Sequence, residues 1–168
     1  MAENDKTAAE GQQADPSQGQ FGIRKVYVKD LSFETPNSPS VFNDQASPNV
    51  NLQLANESSK LADNTYEVVL RLTVTVATDD KTYYLAEVNQ AGIFHIGGFP
   101  DNAVSRMLAT VCPNILFPFA RELVSDLVTR GGFPQLLLSP VNFEALYAQQ
   151  QKQQEPQAAT DSGQQTTH

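Results

Sequence analysis

Between positions 66 and 77 nearly every second residue is apolar. Tyr66, Val68, Leu70, Leu72, Val74 and Val76 take one parity, and Glu67, Arg71, Thr73 and Thr75 take the other. Period-two alternation in good strand formers predicts a strand with one buried face. Thr78-Asp79-Asp80-Lys81 is a polar turn, and 82–95 reads as the return strand. It carries Tyr84, Ala86, Val88 and Phe94 on one face and Leu85, Glu87 and Asn89 on the other, so the two form an antiparallel hairpin. Two weaker strands precede it: 23–30, with Val26 and Val28 against Lys25, Tyr27 and Lys29, and 50–55, with Val50, Leu52 and Leu54 against Asn51 and Gln53. The 31–49 connection holds Pro36, Pro39 and Pro48 together with Phe33, Val41 and Phe42. It is too long for a hairpin loop and predicts a Greek-key-like crossover. Long loops rich in aromatics are usually packed or functional.

After Pro100 the apolar spacing becomes helical. Asp101 is a candidate N-cap for a helix over 102–111, and Cys112-Pro113-Asn114 predicts an interruption, with Asn114 capping a new start. Phe119, Ala120, Leu123, Val124, Leu127 and Val128 then recur at steps of three and four up to Arg130, and Gly131-Gly132 ends the helix. That apolar stripe is wider than one sheet needs, so the helix is expected to be buried on more than one side. An apolar, proline-bounded segment over 133–140 leads to a last helix over 142–150, with Phe143, Leu146 and Tyr147 on one face. The predicted fold class is α+β: a four-stranded antiparallel sheet with a long crossover loop, packed with two C-terminal helices. Surplus apolar surface of this kind implies a partner, and a second copy is the first expectation.

Composition narrows this to one domain. Of the 168 residues, 1–20 contain no aromatic, Ile, Leu or Val, and eight of the last twenty (149–168) are Gln. Neither end can bury enough to offset its ordering entropy, so both are expected to be disordered tails around a domain over 21–148. The net charge is −8, shared between the tails and the domain. With no clustered Lys and Arg, nucleic-acid binding is not expected. No run of about eighteen apolar residues occurs, so no membrane insertion is expected. The acidic start lacks the features of a signal peptide, and the one cysteine, Cys112, suits a reducing cytoplasm.

Catalytic patterns are missing. His95 has no neighbouring ligand, His168 is in a tail, and no H-x-x-x-H or C-x-x-C spacing occurs, so no metal or other cofactor is expected. Cys112 reads as a small buried residue rather than a nucleophile. There is no G-x-S-x-G, phosphate loop or dinucleotide fingerprint. The polar face of the hairpin reads either as a solvated surface or as an acidic site for a basic partner.

Several strings, in order, resemble the SecB family of protein-export chaperones. The longest is Cys112-Pro113-Asn114-Ile115-Leu116-Phe117-Pro118-Phe119-Ala120-Arg121-Glu122. Tyr27-Val28-Lys29-Asp30-Leu31-Ser32-Phe33-Glu34, Leu61-Ala62-Asp63, Tyr66-Glu67-Val68-Val69-Leu70-Arg71, Gly132-Phe133-Pro134-Gln135-Leu136 and Ser139-Pro140-Val141-Asn142-Phe143 match as well. The resemblance implies a homotetramer, a dimer of dimers, with the oligomer interface including Ala86, Val88, Leu123 and Leu127. It implies ATP-independent holding of unfolded preproteins in a groove, with candidate residues Phe33, Phe42, Leu52, Phe133, Leu136, Leu138, Phe143, Leu146 and Tyr147. It also implies delivery to the SecA translocation ATPase through Asp30, Glu34, Leu85 and Glu87. The chain departs from the family pattern at Gln45-Ala46-Ser47, where members often carry Trp. Two alternatives remain open: a SecB-like chaperone dedicated to a toxin–antitoxin pair, and a small α+β ligand-binding protein or enzyme.

Overall fold

In the computed structural model, residues 19–154 are described; most of both expected tails, 1–18 and 155–168, lies outside them. Four antiparallel strands come first: β1 (Gln20–Glu34), β2 (Asn49–Ala62), β3 (Thr65–Ala77) and β4 (Thr82–Gly97). The spatial order is β1-β4-β3-β2, so β2, β3 and β4 form a meander and β1 returns beside β4. This is the expected Greek-key order, with the 35–48 connection carrying the chain from one sheet edge to the other.

Strand parity decides the core. Val68, Leu70, Leu72 and Val74 of β3 and Ala86, Val88 and Phe94 of β4 are all fully buried on one face. Three helices follow: α1 (Asp101–Ala109), α2 (Val111–Arg130) and α3 (Phe143–Gln154). The long α2 lays Cys112, Leu116, Ala120, Val124 and Val128, one every four residues, onto that face, and none retains any exposure. Gly92 lets the helix come close, because a β-carbon there would stand 3.0 Å from Leu116. Burial in this seam pushes the Cys112 thiol up to about 12, so it stays protonated.

Several boundaries differ from the sequence expectation. β2 continues through Asn56–Ala62, although that stretch shows no alternation; as an edge strand largely exposed to solvent, it has no buried face to enforce one. The helix break falls at Thr110 (φ −126°), not at 112–114. A proline ring collides with the carbonyl four residues upstream, so Pro113 ends the preceding helix at Ala109 and itself fits the first turn of α2, where no amide hydrogen is needed. Asp101 lies inside α1, whose N-cap is Pro100. Asn142 caps α3, its Oδ1 accepting from Ala145 N at 3.0 Å, and α3 runs on to Gln154, past the expected boundary at 148. Gln is a good helix former and extends the last turns.

The helical region Asp101–Arg130 is long and apolar enough to cross a membrane by length and composition, with 33% of its most apolar window buried. The count of uninterrupted apolar residues misses it because isolated charges divide the run. Core helices pass the same test, and one face of α2 is such a core element. Beside that face runs a flanking strip at four-residue spacing, Val111, Ile115, Phe119, Leu123 and Leu127, that is only partly covered: Val111 and Phe119 are 37% and 46% exposed.

Candidate functional site

The end of α2 builds an aromatic cup. Phe133 N donates to Val128 O at 3.1 Å and Gly132 N to Thr129 O at 3.1 Å, with Gly132 at φ +85°. This hydrogen-bond pair needs a left-handed residue, which is why glycine stands there. The reversal turns Phe133 back over the helix end. Its ring centroid lies 4.8 Å from Tyr84, 5.2 Å from Phe42 and 6.5 Å from Phe33, and Phe33 stacks on Tyr84 at 5.6 Å. A β-carbon on Gly131 would run into the Phe33 ring, so both glycines serve the cup. Four elements distant in sequence meet there: β1, the crossover loop, β4 and the α2 terminus. The loop is pinned by buried Val41, by Asn37 Nδ2 donating to Thr82 O at 2.9 Å, and by a 3.1 Å ion pair between Lys81 and Asp44. The cup stays open to solvent, since Phe42 is 50% exposed.

A second hollow, of about 420 Å³, lies between β2, α1 and α3. Leu54, Leu108, Phe143, Leu146 and Tyr147 line it. Arg106 holds α3 across this gap through Glu144, 3.0 Å from Nη2. Leu52 shares the face of Leu54 on β2, two residues nearer the crossover loop, and is 38% exposed.

The groove candidates therefore fall into two groups. Phe33, Phe42 and Phe133 meet in the cup; Phe143, Leu146 and Tyr147 meet in the hollow. Leu138 and Phe143 are 6% and 5% exposed and belong mainly to the core, where Phe143 meets Phe117 edge-on at 6.1 Å. Leu136 is half-buried beside them. Tyr84 is missing from the candidates although it lies at the centre of the cup. Its parity with Ala86, which pairs with Phe33, is the signal that places it on the same face.

Among the described residues, the opposite face of the sheet carries no helix. Register sets Asp30 opposite Asn89, Ser32 opposite Glu87 and Glu34 opposite Leu85, so the four docking candidates form one contiguous patch. Arg71 reaches into it from β3, donating from Nε to Asn89 Oδ1 at 2.9 Å. Farther along, Glu67 accepts from the Tyr27 hydroxyl and from Lys29 Nζ at 2.8 Å. The Lys29 and Tyr27 hydrogen bonds hold the Glu67 carboxyl below its usual range, and the Glu67 bond pushes Tyr27 up to about 12.

One expectation for assembly is corrected. Ala86 and Val88 have no exposure in a single protomer, because α2 covers their face; they are core residues and present nothing to another subunit. Leu123 and Leu127 are half-buried and lie on the partly covered strip of α2. Among the described residues no group of three or more His, Cys, Asp or Glu is placed to hold a metal ion.

The antiparallel β1-β4-β3-β2 sheet sealed on one face by a long helix is a fold that this chain shares with a SecB-like chaperone. A SecB-like chaperone of Mycobacterium tuberculosis, solved with a peptide from an antitoxin, superposes with a TM-score of 0.60 at 16% identity, over 73% of this chain and 91% of that one. The family model described as preprotein translocase subunit SecB matches residues 12–154, and the chain belongs to the SecB family. It is 56% identical over 160 residues to the protein-export protein SecB of Nitrosococcus oceani, covering 94% of each chain. It is 47% identical to that of Marinobacter nauticus over the full length of both.

Proposed function

We propose that this chain is an export chaperone that holds unfolded preproteins in the cup and hollow, without ATP, and passes them to SecA in the cytoplasm. The observation that carries the reading is an aromatic cup that is built with care and left open: two glycines and a pinned loop bring four rings together, yet Phe42 remains half in water. An unfolded chain offers apolar segments without fixed sequence. A shallow apolar surface buries them without demanding one shape, and several weak contacts along one client raise its effective concentration at the next. Four copies would multiply those contacts. The partly exposed strip from Val111 to Leu127 favours such self-assembly, since apolar side chains on a helix are normally buried in full.

The outer patch of Asp30, Glu34, Leu85 and Glu87 suits a basic partner, and SecA is the partner we assign to it. Relatives that share about half of the residues carry the name protein-export protein, which favours export over service to a single antitoxin. The test is a refolding assay. The protein, at stoichiometric amounts, is expected to delay refolding of a urea-denatured preprotein, and addition of SecA to release the client. Refolding at the uncatalysed rate would refute the proposal.

A further inference from the structure

The bare face contains a base among its acids. Across β1, β4 and β3 the register aligns Asp30, Asn89 and Arg71 in one row. Asn89 is only 8% exposed, and it fixes the guanidinium by accepting from Nε at 2.9 Å. From that anchor Nη1 lies 3.9 Å from Glu57 and Nε 4.0 Å from Glu87. A pair serving stability would close to a short, two-pronged contact. Here the well-formed hydrogen bond goes to a neutral amide, and both carboxylates are left at the limit of ion pairing. All three charged side chains are solvated, at 44% for Arg71, 68% for Glu57 and 35% for Glu87, so the pairing is weak and open to exchange.

We infer that Arg71 is a built-in counterion of the docking face: it loosely occupies Glu87, a carboxylate that a basic segment of the partner must take. Docking then exchanges an internal cation for an external one. The net gain is smaller than the charges of the patch alone would give, and the contact stays reversible. A partner has to present more positive charge than one arginine, which discriminates against weakly basic surfaces. The inference rests on the docking assignment above and adds a residue that limits affinity rather than supplying it.

The test is titration of purified SecA into the full-length protein at low and at high salt, for wild type, Arg71→Gln, Arg71→Lys and Glu87→Lys. Arg71→Gln removes the charge and keeps a donor for Asn89. It is expected to bind about threefold to fivefold tighter at low salt, with a steeper loss of affinity as salt rises. Arg71→Lys should stay near wild type, and client holding should be the same in both. If Arg71→Gln binds equally or more weakly while Glu87→Lys is impaired, the counterion role is overturned and docking stands. If Glu87→Lys binds like wild type, the docking assignment falls and this inference with it. A purely structural Arg71 would lower the Tm and leave the salt dependence unmoved.

Discussion

The two faces of the sheet are made from the same strands and serve opposite ends. On the inner face β3 and β4 place Val68 to Val74 and Ala86 to Phe94 against α2, with no exposed area in between. On the outer face the alternate residues of the same strands, Glu67, Arg71, Glu87 and Asn89, stand in polar clusters of hydrogen bonds and loose ion pairs. The inner face leaves apolar surface over at its rims, in the aromatic cup, in the hollow beside α3 and along β1 at Val28 and Leu31. Under the proposed function, one backbone carries a surface for unfolded chains and a surface for a charged partner, separated by the thickness of a strand. A substitution should affect one without the other, unless it reaches the shared core.

Four experiments can break or sharpen that separation. Leu116→Ala opens a cavity beneath α2 and should cost about 2–5 kcal/mol, read as a large fall in Tm by calorimetry. Both client holding and docking should decline together, and selective loss of one would show that the core does not couple the faces. Phe42→Asp removes a half-exposed ring from the cup and should weaken client binding by about tenfold, from about 1.4 kcal/mol of lost aromatic contact and burial. Its SecA affinity and Tm should stay near wild type, and unchanged inhibition of refolding would remove the cup from the site. Glu87→Lys should weaken SecA binding about fivefold, more at low salt than at high, with client holding unaffected.

The smallest effect concerns pH. Glu67 has a lowered folded-state pKa, so its contribution is present above its ordinary value of 4.5 and is lost as pH falls through the lower folded value. Glu67→Gln should therefore be less stable than wild type at neutral pH, and under acid denaturation the gap should shrink as pH falls from 4.5 and close once Glu67 is protonated in the folded protein. A gap that does not shrink with falling pH would mean the side chain acts by packing and not by charge.

The sequence is most readable where one face is buried. The 66–77 alternation gives β3 almost to the residue, because any shift would turn Leu70 and Leu72 toward water. The second half of β2 is opaque for the opposite reason: Glu57, Ser58, Ser59 and Lys60 sit on a sheet edge, where burial imposes no pattern. Pro113 marks a helix break correctly, yet its clash acts four residues earlier, which moves the break to Thr110. The groove and docking residues enter only through resemblance, since Phe33, Phe42 and Phe133 are a hundred residues apart at the extremes and nothing in local spacing joins them. Tyr84 could have been added from parity alone. Ala86 and Val88 enter as interface residues through the resemblance as well, and an apolar strand face does not itself reveal whether its own helix or a second copy covers it.

The central claim is that this chain keeps apolar surface in reserve, partly for its own copies and partly for unfolded clients. Native mass spectrometry of the purified full-length protein, with and without a denatured preprotein, tests it most directly. The account predicts a particle of four copies that gains the mass of the client when the client is unfolded and gains nothing when it is folded. A single-copy particle whose mass is the same in both mixtures would contradict it.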